Sequence, residues 1–556
     1  MGSLKYCLLL SLILQQFYSL NCIPLRGNFP WTVLLCKFHD RPEEPKPESY
    51  FHYWLLDLEH SGSIARYFLD ISNNLYSIKG SNIHGWYTMP YRRAAVEYLA
   101  DQDPNLAKLY PSSSQTNMQL KVYHKTKQLC IETARSMGAP LFKNIIIIVN
   151  DHNIAMYCKE EGVLLTPHFL ATAALAHEMV HSFYIGHSYS DRAVRVFPYA
   201  GLGEYDDTYD LMSTANAYMY ETEYGLNGPG LNGPHLDYLG WLPLDRTLFF
   251  GKDGYNEATL QLASLSRHHV DTKGWLLVFL PYDRDNPANV YSIELRTRNG
   301  HDQGVKRDSI IIHKVTEIDG YSYSYLITNS VHRRYEWLPG DRFFAYLKGS
   351  KQDGIDVTVM SIDGPAGSAA VRIRTAFDPV KCRDNEQLRR AHKDDKVCVS
   401  RDEFDRLAEE NEESLKYVGS IGTCLDGRVS RRSGPGDATC VTESRKLESD
   451  RLNRQWEDYK RFFDLGTWGL NACDEGYIWR ALDPYDYVCV TREYREFLAE
   501  QGTDNCSLPG YVRRYLFPTD VACVTAQQRD EAQARSHGAR QKLKYFKFFN
   551  GVDDVR

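Results

Sequence analysis

The sequence predicts three kinds of structure in succession: an α/β domain, an all-β sandwich domain, and four small disulfide-closed repeats. Three observations carry this. Strand-like and helix-like segments alternate up to about residue 243; short apolar runs separated by Gly, Asp, Asn and Pro take over from 244; and the last third sets pairs of cysteines 16 residues apart three times and 17 apart once. A chain of 556 residues is too long for one ordinary core and calls for two to four domains. The expected boundaries are a signal peptide at 1–22, the α/β domain at 23–243, the sandwich at 244–378, the repeats at 379–535 and a basic tail at 536–556.

Composition narrows the function class. The 43% hydrophobic and 25% charged content is that of a soluble globular protein. A formal net charge of -7 without a long Lys/Arg block argues against nucleic acid as a partner. At the N-terminus Lys5 precedes an apolar run from Cys7 to Leu14, followed by the more polar QQFYSLNC, which reads as a secretory signal cleaved close to Cys22. That run is too short to cross a membrane and no later run approaches 18 apolar residues, so no membrane span is expected. A secreted chain meets an oxidising compartment, where disulfides are the default fate of cysteines.

In the first domain WTVLLCKF (31–38) has strand-like composition, and FHYWLLDL (51–58) and KLYPSSSQTNMQLKVYHKTKQLCIETARSM read as helical or mixed. NIIIIVND (144–151), almost pure isoleucine and valine, is a buried strand. TPHFLATAALAHEMVHSFYIG opens on Thr-Pro and continues through good helix formers, which is a helix start. In the second domain ATLQLASL, GWLLVFLP, VYSIELRT, SIIIHKV, RFFAYLKG, IDVTVMSI and AAVRIRTA are strand-length runs.

The last third contains Cys382, Cys398, Cys424, Cys440, Cys473, Cys489, Cys506 and Cys523. An arginine follows the first cysteine of each pair (Arg389, Arg431, Arg480, Arg514) and an aspartate precedes the second by three (Asp395, Asp437, Asp486, Asp520). Four copies of one module, each closed by its own disulfide, are the simplest account. Closing a loop of this length contributes roughly 3 kcal/mol, which a module with so few apolar residues needs. The Arg and Asp can pair across each loop. Ser400, Thr442, Thr491 and Thr525 stand where they would cap the following helices, with Glu403 and Gln528 completing capping boxes. Either a surface-recognition array or a spacer suits such modules; the lack of CxxC pairs argues against metal binding by them.

The chemistry concentrates in HEMVHSFYIGHS (177–188). On a helix His177 and His181 share a face, with Glu178 one position round. Two imidazoles so placed are two legs of a tetrahedral zinc site, and the glutamate can take a proton from water at the metal. His187, six residues on, can supply the third ligand if the chain turns back after the helix.

At every ligand position this stretch resembles the metzincin zinc-peptidase signature, HExxHxxGxxH. YDLMSTAN offers Met212 for that family's methionine turn, and HSYSD, EYDDTYDLMS and GPGLNGPHLDYLGW resemble the gametolysin-like branch over roughly residues 28–243. The resemblance implies a metzincin-like catalytic domain and a secreted zinc endopeptidase. His177, His181 and His187 would hold Zn2+, Glu178 would be the general base, and Met212 would support the site from below. Its partners would be protein or peptide substrates, with extracellular-matrix or cell-wall glycoproteins as candidates, and the strand at 144–151 or the segment YCKEEGVLLTP would border the cleft. The alternative is a catalytically impaired secreted binding protein on the same scaffold, recognising ligands through its cysteine repeats.

Three departures from the family pattern, and the remaining cysteines, set further expectations. Tyr184 stands where the family has glycine, so either it or Gly186 makes the turn, with Asp191 as a fallback ligand. No tyrosine follows Met212 by two residues, so the extra tyrosine ligand of some metzincins is expected to be absent. No propeptide is apparent. Cys36 suits a core or disulfide role better than a thiol acting on zinc, and Cys130 and Cys158 are candidates to pair with each other.

Overall fold

The computed structural model describes residues 25–537 except 112–113, 152–154, 159–161, 251–256, 284, 287, 378–381, 383–385, 392–394, 396, 420–422, 435–436, 464–468, 475, 501–505, 515, 517–519 and 521. The expected signal peptide and nearly all of the basic tail lie outside the described residues. The chain is mixed α/β. In its first part β1 (Trp31–Phe38), β2 (Asn82–Met89), β3 (Asn144–Val149), β4 (Ala155–Cys158) and β5 (Gly162–Leu165) form a sheet of order β2-β1-β3-β5-β4. All neighbours are parallel except the edge pair β5–β4.

The isoleucine run forms an interior strand because both of its faces are covered. Successive side chains point to opposite faces, so Ile146 and Ile148 enter one buried cluster while Ile145, Ile147 and Val149 enter another. The first cluster includes α2 (Thr172–His181); the second includes α1 (Gln115–Ser136). The Thr-Pro start expected at 166–167 opens only a single 3-10 turn, Pro167–Phe169, and the helix proper begins at Thr172.

The same parity corrects a cysteine assignment. Leu34, Cys36 and Phe38 of β1 face the α1 side, where Cys130 projects, and Cys36 and Cys130 form a disulfide. Cys130 therefore does not pair with Cys158. Spacing along the chain could not reveal this, because the bond joins a strand to a helix 94 residues away.

The second part contains two sheets. β6 (Tyr189–Ser190), contributed by the segment after His187, lies at the edge of a six-stranded sheet with β7 (Thr247–Phe249), β9 (Leu277–Pro281), β10 (Val290–Arg296), β11 (Ser309–Ile318) and β12 (Tyr321–Leu326), in the order β7-β9-β10-β11-β12-β6. β8 (Glu257–Ala263), β13 (Arg342–Tyr346), β14 (Gly354–Asp363) and β15 (Ser368–Thr375) make an antiparallel sheet of order β8-β15-β14-β13. Apolar residues of both sheets share one buried cluster, the layering expected of a sandwich, and that cluster is continuous with the first part of the chain.

All four expected repeat disulfides form, Cys382–Cys398, Cys424–Cys440, Cys473–Cys489 and Cys506–Cys523. Each repeat is a minute antiparallel ladder. The first two run into α4 (Arg401–Ser414) and α5 (Glu443–Phe463), the last two into α6 (Arg492–Glu500) and α7 (Ala526–His537); α3 (Gly233–Tyr238) lies earlier, in the first part. Ser400, Thr442, Thr491 and Thr525 all cap as expected, each hydroxyl accepting from the N–H three residues on. Gln528 completes its capping box on Thr525, whereas the Glu403 carboxylate is drawn outward to Arg406 and Arg445.

The third repeat is joined to the main body. Trp479 and Tyr487 enter the large core, the Tyr487 hydroxyl donates to the Leu242 carbonyl at 3.0 Å, and Arg26 makes a two-point bond to Asp483 at 3.1 and 2.8 Å. The first two repeats clasp each other instead. Arg389 of one reaches Asn453 on α5 at 2.7 Å, and Arg431 of the other reaches Asn411 on α4 at 2.8 Å.

Candidate metal centre

The helical spacing of His177 and His181 brings their imidazoles to one face of α2, ring centroids 4.6 Å apart and both side chains buried. The helix ends at His181, and the chain reverses through Ser182, Phe183 and Tyr184. Tyr184 takes the left-handed turn itself, with φ of 63°, and its N–H donates to the His181 carbonyl at 3.0 Å. A left-handed tyrosine costs about 1–2 kcal/mol, and the ring packs against the surrounding core. Gly186 is not needed for the turn. His187 is thereby brought back, its ring stacked 5.5 Å from that of His177 and edge-on 5.1 Å from that of His181.

One ring nitrogen from each histidine lies within 4.8 Å of the other two. Which nitrogen faces inward is set by what holds the other. His177 Nδ1 donates to the Leu211 carbonyl at 3.2 Å, His181 Nδ1 to the Ile185 carbonyl at 2.8 Å, and His187 Nδ1 to the Glu204 carboxylate at 2.6 Å. Each Nδ1 therefore carries a proton, which leaves Nε2 of each ring facing inward. Burial, chiefly, with His187 alongside, pushes His177 down to about 3; burial and the neighbouring His177 hold His181 well below its ordinary value. Both are neutral, as metal ligands must be.

This donor set fits a metal ion. The Nε2 atoms of His177 and His181 stand 3.1 Å apart, two lone pairs with no proton to share. Four tetrahedral bonds of about 2.0–2.1 Å separate ligand nitrogens by about 3.3 Å. Anchoring of every Nδ1 by a carbonyl or carboxylate is the outer-shell support that orients metal-binding imidazoles.

Leu211, whose carbonyl holds His177, begins the 3-10 turn Leu211–Ser213 that contains the buried Met212. The Met212 carbonyl accepts from the N–H of Ser188, which ties the turn to the residue next to the third histidine. Glu178 is buried beside His177 on α2. Asp191 is committed elsewhere, accepting from the Thr328 N–H at 3.1 Å, so the fallback ligand is not used.

Two residues of the site escaped the sequence reading. Glu204 orients His187; burial opposes its charge, but the bonds from His187 and from the Gly201 N–H keep its pKa below the usual value. Tyr205 donates its hydroxyl to His187 Nε2 at 2.8 Å. Burial, then the carboxylate of Glu204, Tyr199 and the carboxylate of Glu178 raise its phenol far above the ordinary value, so it remains a donor. A tyrosine is thus present at the histidine cluster, but it arrives from before the methionine turn, with φ of 61°. The signal was the acidic run EYDDTYD, which spacing from Met212 alone did not single out.

Searches of protein-family models, curated proteins and solved structures find no match to this chain.

Proposed function

We propose that the protein is a secreted zinc endopeptidase of metzincin type that hydrolyses peptide bonds of extracellular proteins. The observation that carries this reading is the convergence of three imidazoles, each anchored through Nδ1, beside Glu178. His177, His181 and His187 would hold the ion. Zinc bound there supplies Lewis acidity, polarising the scissile carbonyl and making water a stronger acid. Glu178 accepts the proton of the attacking water and returns it to the leaving amine. The Tyr205 hydroxyl stands within reach of the same centre and can donate a hydrogen bond to the oxygen on which charge develops.

Among the described residues strand β4 is an edge of the first sheet, and it packs against α2, so an extended peptide pairing with it would pass the site. β3, the other expected cleft border, has a strand on each side and offers no edge. Five disulfides fit an extracellular location, and no described helix is long and apolar enough to cross a membrane.

Purified protein is expected to contain one zinc and to digest unfolded protein substrates. Glu178→Ala should lower kcat by about 10²–10⁴-fold, the usual contribution of a general base, with zinc content unchanged. Undiminished turnover in that variant would overturn the mechanism. The second reading, a metal-containing binding protein without turnover, is favoured by the Tyr205 bond to the inward-facing Nε2 of His187. It predicts zinc in the wild type but no cleavage by it.

A further inference from the structure

Two of the three histidines are placed by one helix; the third is not. His187 leaves α2 after the turn at Tyr184, and the segments that flank and support it are held from outside the first domain. On its C-terminal side, Tyr189–Ser190 pair in parallel with Tyr325–Leu326 of β12, and the Asp191 N–H donates to the Leu326 carbonyl at 3.0 Å. Across from it runs the loop Glu204–Asp210. Glu204 and Tyr205 touch the two ring nitrogens of His187. The next residues face away from the histidines: Asp206 accepts from the hydroxyls of Ser190 and Tyr335, Asp207 accepts from His313 Nε2 at 2.9 Å, and the Tyr209 hydroxyl donates to Glu336 at 3.1 Å. All of these side chains are buried.

The loop therefore alternates between two tasks. Its first two residues orient the third ligand, and the residues after them are gripped by the β domain. We propose that the β domain is a working part of the metal centre, and that Tyr335, through Asp206, positions His187 and its partners Glu204 and Tyr205 although it contacts none of them. Rigid support of this kind matters because a ligand a fraction of an ångström out of place loses affinity, and outer-shell groups around metal ligands typically contribute 10–100-fold. The inference rests on the metal-binding reading of the three histidines, but not on peptidase activity.

The test uses the full chain and the metal alone. Tyr335→Phe removes one hydroxyl from the grip. Tyr282→Phe removes a comparably buried hydroxyl of the same domain, one that bonds Thr316 at 2.7 Å and faces no part of the metal loop. Zinc affinity is measured by chelator competition, and ligand geometry by the visible spectrum of the cobalt(II) form. Tyr335→Phe is expected to lower zinc affinity at least about tenfold and to change the cobalt spectrum, while Tyr282→Phe does neither. In a His187→Ala background Tyr335→Phe should add no further loss, because the residue acts through that ligand. Wild-type affinity in Tyr335→Phe, or an equal loss with and without His187, overturns the inference while the metal site stands. A wild type that binds no zinc overturns the metal reading and this inference with it.

Discussion

The cysteine repeats and the loop beside His187 both bury carboxylates, and they settle the charge in opposite ways. In each repeat an arginine grips an aspartate six residues on through two bonds, at 2.8 and 3.1 Å for Arg389–Asp395, 2.9 and 3.1 Å for Arg431–Asp437, 2.7 and 2.9 Å for Arg480–Asp486, and 2.9 and 3.1 Å for Arg514–Asp520. The aspartate also accepts the backbone N–H four residues before it, from Ala391, Ser433, Leu482 or Leu516. The Arg–Asp pair lies within one disulfide loop, while Arg389 and Arg431 also reach across to the neighbouring repeat. The segment EYDDTYD carries four carboxylates and no lysine or arginine. Its partners include His187, Ser190, His235, His313 and Tyr335, drawn from several parts of the chain. A local clasp can be copied four times; the loop exists only in the assembled molecule, and its support ends at the histidines.

The comparison makes distinct predictions. The largest effect is expected from Arg431→Ala, which strands a buried Asp437. Breaking a buried ion pair by removing one partner costs about 3–5 kcal/mol, so residues 424–463 should lose protection from hydrogen exchange and proteolysis. Zinc content should not change. Loss of zinc in that variant would mean that the repeats are not energetically separate from the metal centre.

Glu204→Gln is the reciprocal case. It keeps the shape but weakens the hold on His187 Nδ1, and zinc affinity should fall about 10–100-fold, with the repeats fully protected. Competition with a chelator measures the first, and hydrogen exchange the second.

Per pH unit, the smallest effect concerns a third kind of buried carboxylate. Asp237 on α3 sits where the third repeat docks, with the Tyr487 hydroxyl 3.4 Å away, and burial pushes it up to about 7. Its folded pKa lies above the unfolded value of about 3.9. The folded state therefore holds the extra proton between those values, and stability falls as pH rises from about 4 to 7. The slope is at most about 1.4 kcal/mol per pH unit. Urea unfolding at pH 5 and 7.5 should show this decline in the wild type, flattened in Asp237→Asn. An equal decline in both would assign the slope to other groups.

Much of this was legible in the residues. The isoleucine run, the two histidines four apart, the third histidine and the methionine turn are local patterns, and the structure brings the three histidines and the Met212 turn to one place. The repeats were the clearest, since the disulfides, the Arg–Asp clasps and the four hydroxyl caps all follow from spacing that recurs. Trp479 and Tyr487, by contrast, occupy positions that Ser430 and Ala438 fill in the second repeat. Only packing shows that the former pair docks its repeat on the main core.

The residues alone determined the helix that carries His177, Glu178 and His181, and the four closed loops, because hydrogen bonds and loop closure over a few residues decide those. Tertiary structure decided the rest: that Tyr184 itself makes the turn, that Cys36 rather than Cys158 meets Cys130, and that Glu204 and Tyr205 reach His187. Strand parity, sheet pairing and burial settle these across long stretches of chain, and spacing in the sequence carries no record of which faces will meet.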